Sequence, residues 1–247
     1  MSKVLILAES GFGKSTSIGR VTKEETKHLP KSFEIEGLNP EETYIISATS
    51  KPLPFKGSKS QYPLTPGGEP PTKGHRYITN DGFEVAKIIG YVSTNRPDIK
   101  NVVIDDSNYI MQDYYMRNSK KGGYDVFKNI GQFMSKIFDS MESASHINFF
   151  MLAHYENFKH SSGDDISYRF KTVGKMVQDY ITPEGKFDLV LFGKQTFDEK
   201  EKEISKVFVT NFDGQYPSKS PIGMFENFYI PNDLGYVKKK IEEYYGE

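Results

Sequence analysis

The chain has 247 residues, with 32 Lys and Arg against 33 Asp and Glu, and it contains neither Cys nor Trp. A net charge of −1 excludes a polybasic nucleic-acid or membrane-surface protein, so any DNA contact must come from local patches. Without cysteine there is no disulfide, no thiol catalysis and no Cys-based zinc site, which fits a reducing cytosol. The apolar runs are too short for a signal peptide or a membrane span. We therefore expect a soluble cytoplasmic protein without a membrane partner.

The predicted secondary structure alternates between short strands and helices. Five short apolar runs indicate buried strands: Val4–Ala8, Tyr44–Ala48, Val102–Ile104, Phe149–Leu152 and Phe187–Phe192. Apolar residues spaced by three and four indicate helices at 83–93 and 124–141, and a helix-compatible run at 15–21 follows the first strand. This alternation predicts an α/β fold with a mostly parallel central sheet and helices on both faces.

The C-terminal part of the chain departs from this alternation. Val207–Val209 follows a charged turn at 198–202 and predicts an added β-hairpin, and residues 233–247 predict a polar terminal helix. We expect one domain over 1–247, because no repeat or low-complexity tract divides the chain. Residues 51–76 hold six prolines and five Lys and Arg against one Glu, which predicts a long basic loop. Such a loop is either a nucleic-acid contact or solvated surface.

A glycine-rich motif stands between the first predicted strand and the run at 15–21. Ala8–Ser15 (AESGFGKS) matches the phosphate-binding P-loop pattern, with alanine in its permissive first position. The glycines allow backbone N–H groups to converge on phosphate oxygens, and a helix N-terminus would add a positive dipole end. Lys14 is expected to reach the β- and γ-phosphates of ATP, and the Ser15 hydroxyl to bind Mg²⁺. The expected nucleotide contacts are Ser10, Gly11, Phe12, Gly13, Lys14, Ser15 and Thr16.

Two acids follow the third predicted strand, where a P-loop site needs a second metal-binding group. Asp105 is the expected Mg²⁺ ligand, usually through water. Asp106 either orients the attacking water or caps the next helix, and both interpretations remain open. His154 ends the next apolar run, where polar residues of an open α/β sheet lie near the ligand, so it is a candidate sensor of the γ-phosphate.

In their order, four features resemble the RecA-like recombinase ATPase core, and within it the small phage ATPases associated with single-strand annealing. They are the loop Ala8–Ser15, Val102–Asp106, His154 and the run Lys171–Met176, and the resemblance covers roughly residues 3 to 220. It implies a RecA-like P-loop ATPase fold that binds ATP and Mg²⁺, with the host bacterial cytoplasm as its location if the protein is phage-encoded.

The resemblance also implies two loops that bind single-stranded DNA. The first would be Arg117–Tyr124, where Arg117, Lys120 and Lys121 supply cations, and Tyr124 supplies a stacking face. The second would be roughly Asn157–Lys171. Its expected DNA contacts are Lys159, Arg169 and Lys171. Ordinary surface loops are the alternative for both.

Departures from the family pattern bear on hydrolysis and assembly. RecA-type proteins place a catalytic glutamate after the second core strand, but residues 44–51 offer none, so hydrolysis depends on Asp106 or Glu9, or is slow. Many recombinases link protomers through an extension that precedes the first strand. Because the first strand here begins close to the first residue, we expect a ring or a short filament instead of a long filament. Some relatives send a cation into the neighbouring protomer's nucleotide site. The candidates in the C-terminal strands are Lys194, Lys206 and Lys219.

The function expected from these features is ATP-dependent DNA recombination, with binding of single-stranded DNA and promotion of strand annealing. A homo-oligomer and a single-strand-binding protein are the expected protein partners. A DNA motor such as a helicase or packaging ATPase shares the same core and is the first alternative. A small-molecule P-loop kinase is the second, and the small number of arginines argues against its usual lid.

Overall fold

The computed structural model describes residues 1–28, 32–66, 70–121, 124–159, 166–198 and 203–246. Eight of the ten strands in these ranges form one sheet, in the order β10-β9-β8-β1-β5-β4-β2-β3. The strands are β1 Lys3–Leu7, β2 Thr43–Ser47, β3 Arg76–Ile78, β4 Asn101–Asp105, β5 Asn148–Ala153, β6 Tyr155–Lys159, β7 Ile166–Phe170, β8 Leu189–Asp198, β9 Glu203–Val209 and β10 Tyr229–Pro231. All neighbouring strands from β8 to β3 are parallel, whereas β9 pairs antiparallel with both β8 and β10.

The strands are connected by helices of very different lengths. The α-helices are α1 Lys23–Thr26, α2 Ser58–Gln61, α3 Gly82–Asn95, α4 Asn108–Asn118, α5 Asp125–Ser143, α6 Met176–Tyr180 and α7 Leu234–Tyr245. Short 3₁₀ turns cover Thr16–Ile18, Pro40–Glu42, Ser119–Lys121 and Pro183–Lys186. No helix in the described ranges is long and apolar enough to cross a lipid bilayer.

The central strands are buried on both faces, so alternate side chains enter two separate cores. Leu5 and Leu7 of β1 join a core with α3 and α5, whereas Val4 and Ile6 join a second core with α7. This explains why the strands are continuous apolar runs instead of alternating ones. The predicted α/β fold, its five core strands and its C-terminal hairpin are confirmed.

The predicted helix at 15–21 was wrong. Only a three-residue 3₁₀ turn, Thr16–Ile18, follows the glycine-rich motif, and the chain is extended at Gly19. A Cβ at Gly19 would lie 2.4 Å from the ring of Phe55, so this glycine lets the aromatic ring pack on the backbone. The stretch then continues to Val21, which pairs with Ile35 as an isolated antiparallel bridge. Tertiary packing therefore overrides the helical preference here.

The basic segment 51–76 is largely packed onto the second core in its described part. Leu53, Phe55 and Tyr62 are buried there, α2 lies within the segment, and β3 begins at its last residue. Residues 67–69 lie outside the described ranges. Because Arg76 is also buried, fewer cations face solvent than the composition of the segment indicates.

The predicted loop at 157–171 also differs from the structure. Its described parts are strands β6 and β7, which pair antiparallel from Tyr155 opposite Phe170 to Lys159 opposite Ile166. The alternation of Ile166, Tyr168 and Phe170 with polar residues is the period-two signal of such a strand.

Candidate nucleotide-binding site

The glycine-rich loop and the candidate acids meet at one edge of the sheet. Strand β5 lies between β1 and β4, and all three are parallel. Their carboxyl ends therefore bring the loop after β1, Asp105 at the end of β4 and His154 after β5 to the same side. Ligands of open α/β sheets bind at this edge.

The loop has the left-handed glycine conformations that a phosphate cradle needs. Gly11 has φ of +80° and Gly13 has φ of +104°, a region where a side chain is strained. Between them, Phe12 is buried and packs against Phe208 of β9, with ring centroids 5.9 Å apart. The side chain of Phe12 therefore anchors the loop to β9, and its backbone N–H donates to the Glu9 carbonyl at 3.4 Å. Ser10 is exposed, and Thr16 begins the short 3₁₀ turn.

Lys14 is buried among backbone carbonyls. Its Nζ donates to the Ala8 carbonyl oxygen at 2.8 Å and to the Glu9 carbonyl oxygen at 2.9 Å. Burial lowers the pKa of Lys14 to about 8, and the nearby Asp106, Asp105 and Glu9 oppose that fall. Both of these acceptors are neutral carbonyl groups. A phosphate anion would give the ammonium group a charged hydrogen-bond partner instead.

Ser15 and Asp105 form the contact expected of a magnesium site. The Ser15 hydroxyl donates to Asp105 Oδ1 at 2.8 Å across 90 residues of sequence. Burial, together with Asp106, raises the pKa of Asp105 to about 6, against partial compensation from Ser15, Arg76 and Lys14. A hydroxyl and one carboxylate suit Mg²⁺, which takes its other ligands from water and substrate phosphates. In the described residues, no group of three His, Asp or Glu is placed to hold a metal ion by itself.

Asp106 adopts an unusual backbone conformation beside this pair. Its φ is +58°, one of two positive values among the non-glycine residues of the described ranges. Its carboxylate accepts a hydrogen bond from the Thr49 hydroxyl at 3.3 Å, while its carbonyl accepts from Tyr109 N in the first turn of α4. Strained residues of this kind cluster at functional sites. The Thr49 hydroxyl thus holds the Asp106 carboxylate in place beside Asp105.

His154 and Glu9 are two further neighbours of Lys14. The His154 Nδ1 is 3.4 Å from Lys14 Nζ, and burial together with the charge of Lys14 lowers the pKa of the imidazole. Because an ammonium group only donates, a hydrogen bond between them requires Nδ1 as the acceptor, which puts the proton of a neutral imidazole on Nε2. Glu9 accepts a 2.6 Å hydrogen bond from the Tyr155 hydroxyl, which directs this carboxylate toward the start of β6.

Besides Thr49, three polar residues at the site were missed from the sequence. Arg76 is buried and donates to Ser47 Oγ at 2.9 Å and to the Lys51 carbonyl at 2.5 Å. Asn108 is fully buried, accepts from His154 N and donates to the Lys171 carbonyl at 2.6 Å. Asn232 donates to the Gly13 carbonyl at 3.2 Å from 219 residues away. These contacts join segments that are distant in sequence, so no local sequence pattern predicts them.

The first group of predicted DNA contacts lies at the far end of α4. Arg117 donates to Asn80 Oδ1 at 2.7 Å, which positions its guanidinium without neutralising the charge. Lys120 is exposed, and the side chain of Lys121 lies outside the described residues. Tyr124 is 65% exposed and shares a surface groove with Tyr180, which is 80% exposed and was not predicted. Arg117 is about 14 Å along the helix axis from Asn108, at 1.5 Å per residue.

The second group lies on the β6–β7 hairpin, next to the nucleotide site. Arg169 forms a 2.8 Å ion pair with Glu156 and stacks over Phe158, with 5.1 Å from its guanidinium to the ring centroid. Lys171 is exposed and is tied to His154 through its backbone N–H. The Lys159 side chain lies outside the described residues. The end of this hairpin is therefore hydrogen-bonded to His154, the predicted phosphate sensor.

Sequence comparison and structural comparison give different results for this chain. No protein-family model matches the sequence, and no curated protein matches it significantly. A KaiC-like protein from the archaeon Pyrococcus horikoshii superposes with a TM-score of 0.43 at 11% identity, covering 84% of this chain and 77% of that chain. The genome packaging NTPase of Sulfolobus turreted icosahedral virus 2, solved with ATP-gammaS, gives 0.41 at 12% identity, covering 81% and 77%. At this similarity, function has to be inferred from the residues of the chain itself.

Proposed function

We propose that this protein is a RecA-like ATPase that binds ATP and Mg²⁺ through the loop 8–15. The observation that carries the proposal is the 2.8 Å hydrogen bond between Ser15 and Asp105. It joins the end of a P-loop motif to a carboxylate on a strand two positions away in the sheet. An acid is costly to bury without a partner, so a buried acid in contact with the motif is not expected of a chance glycine-rich turn.

Each residue of the site has a distinct role in this proposal. The backbone N–H groups of residues 11–16 and Lys14 bind phosphate oxygens, and Ser15 and Asp105 hold Mg²⁺, which neutralises phosphate charge. Because only a short 3₁₀ turn follows the loop, the dipole of a long helix contributes little. Binding therefore depends more on charged side chains than in a P-loop that opens a long helix.

Hydrolysis is assigned to Asp106, with Thr49 and His154 in support. Asp106 accepts a hydrogen bond from the attacking water, and Thr49 fixes its carboxylate. The Nε2 proton of His154 is a donor for a phosphate oxygen near Lys14. Since one aspartate replaces the usual glutamate, the reaction is expected to be slow unless DNA stimulates it.

We further propose that the protein binds single-stranded DNA and promotes annealing in phage-type recombination, acting as a homo-oligomer. The exposed ring of Tyr124, four residues after the exposed Lys120 in sequence, supports a stacking contact, and the β6–β7 hairpin supports a coupling to the nucleotide site. Through Tyr155 and through Lys171, this hairpin contacts Glu9 and His154, the two neighbours of Lys14.

The test is the ATPase rate with and without single-stranded DNA, together with an annealing assay on the same sample. Annealing of complementary strands with little dependence on hydrolysis supports the recombination function. Rapid hydrolysis only when DNA is present, without annealing, identifies a motor. Phosphate transfer to a small acceptor without any DNA binding identifies a kinase.

A further inference from the structure

Lys206 of β9 contacts the phosphate-binding loop of its own chain. Its Nζ donates to the Gly11 carbonyl at 2.9 Å, across 195 residues of sequence. The side chain is exposed, and Lys206 takes part in none of the ion pairs in the described residues. A neutral carbonyl is therefore the partner of this ammonium group in the structure.

The position of Lys206 follows from the hairpin. Lys206 and Phe208 are two residues apart on β9, so their side chains leave the same face of the strand. Phe208 packs on Phe12, and Lys206 reaches Gly11 next to it. Strand β9 pairs with β8, and β8 pairs with β1, so the sheet itself holds this face of the hairpin beside the loop.

Lys194 and Lys219 do not share this position. The Lys194 Nζ lies over the rings of Tyr216 and Tyr229, at 5.1 and 5.6 Å from their centroids. Lys219 pairs through its backbone with Val190, which is level with Leu5 in the middle of β1. Of the three lysines, Lys206 is the one that reaches the loop.

We infer that Lys206 is a phosphate-binding residue of the nucleotide site in its own chain, acting in cis. The inference rests on the proposed nucleotide binding and adds a second cation to Lys14. An ammonium group has three donors, so Lys206 can keep its bond to Gly11 and still donate to a phosphate oxygen. A hydrogen bond between two charged groups is roughly twice as strong as one to a neutral carbonyl. Such a cation offsets the missing helix dipole behind the loop.

The first part of the experiment measures the affinity for a fluorescent ATP analogue with Mg²⁺ at several salt concentrations. Lys206→Ala should weaken binding at least about tenfold and flatten its salt dependence, because one charge-assisted contact is lost. Lys206→Arg should retain most of the affinity, and Lys186→Ala, which removes an exposed lysine before β8 at the opposite end of the strands, should change nothing. Parental affinity and salt dependence in a folded Lys206→Ala variant overturn the inference.

The second part separates action in cis from action on a neighbouring protomer. Lys206→Ala protein is mixed with Lys14→Ala protein, and binding is measured again. In cis, the mixture binds no better than Lys206→Ala alone, because no site has both lysines. Sites with parental affinity in the mixture overturn the inference, since they require Lys206 from another chain. A parental protein that binds no nucleotide instead contradicts the proposed function, and the inference with it.

Discussion

Asp105 carries a large electrostatic cost at the scale of single residues. Burial and the neighbouring Asp106 raise its pKa from 3.8 to about 6. Between these values the folded chain binds a proton that the unfolded chain does not, so stability falls as the pH rises through this window. Above about pH 6 the full free-energy cost of the buried, ionised Asp105 carboxylate remains. The folded protein therefore keeps a destabilised carboxylate for a cation to neutralise.

Replacing this carboxylate should stabilise the protein in the absence of Mg²⁺. Asp105→Asn retains an acceptor for Ser15 and removes the buried charge. We expect its free energy of unfolding to exceed the parental value by up to about 3 kcal/mol at about pH 7.5, but only by about 1 kcal/mol at about pH 4.5. Chemical denaturation at both pH values with EDTA present measures this. An equal difference at both pH values contradicts a buried, ionised Asp105.

Asp106 should affect turnover rather than binding. Asp106→Asn preserves the shape of the side chain but removes the acceptor charge that orients water, so ATP affinity should remain parental while single-turnover hydrolysis falls by about 10²–10⁴-fold. Thr49→Ala should slow hydrolysis less, and Thr49→Ser should restore it, because the serine hydroxyl still reaches the carboxylate. Parental hydrolysis by Asp106→Asn would contradict the assignment of Asp106 as the water-orienting acid, and Glu9 would then become the candidate acid.

At the scale of elements, the phosphate-binding loop is supported differently from the expectation. The sequence predicted a helix behind it, but the structure has a 3₁₀ turn there and holds the loop from the C-terminal strands instead. Lys206 and Asn232 donate to the carbonyls of Gly11 and Gly13, and Phe208 packs on Phe12. The β8–β9 hairpin and the residue after β10 therefore hold the loop 8–15 in place.

The segment at the end of α4 gives a prediction about DNA. Replacing Lys120 and Lys121 with Ala should weaken binding of single strands without sequence dependence, and flatten the slope of log affinity against log salt by roughly 0.7 per lost contact. Tyr124→Ala should cost about 1–3 kcal/mol of stacking and leave that slope unchanged. Fluorescence anisotropy at several salt concentrations measures both.

Two controls make this prediction specific. Tyr245→Ala removes a partly exposed tyrosine from the end of α7 and should bind DNA as the parental protein does. ATP affinity should survive in every variant, because this segment is distant from the loop along α4. Parental affinity and slope in the double lysine variant mean that this surface does not hold DNA.

At the scale of the molecule, the parts of the fold that local patterns encode were predictable. Continuous apolar runs mark strands buried on both faces, and the P-loop motif is read directly from residues 8–15. Strand β3 has only three residues and begins where a proline-rich segment ends, so it is too short for a periodic signal. Thr49, Arg76, Asn108 and Asn232 enter the site through contacts between distant segments, so the sequence offered no spacing from which to infer them.

The central claim is that ATP binds with Mg²⁺ at the loop 8–15, and calorimetric titration of ATP tests it most directly. The parental protein should bind ATP more tightly with Mg²⁺ than with EDTA, and Asp105→Asn should lose most of that difference. Lys14→Ala should lose binding while remaining folded by circular dichroism, because each charge-assisted bond to phosphate is worth about 1.5–3 kcal/mol. A folded Lys14→Ala protein that binds ATP with parental affinity would contradict the claim.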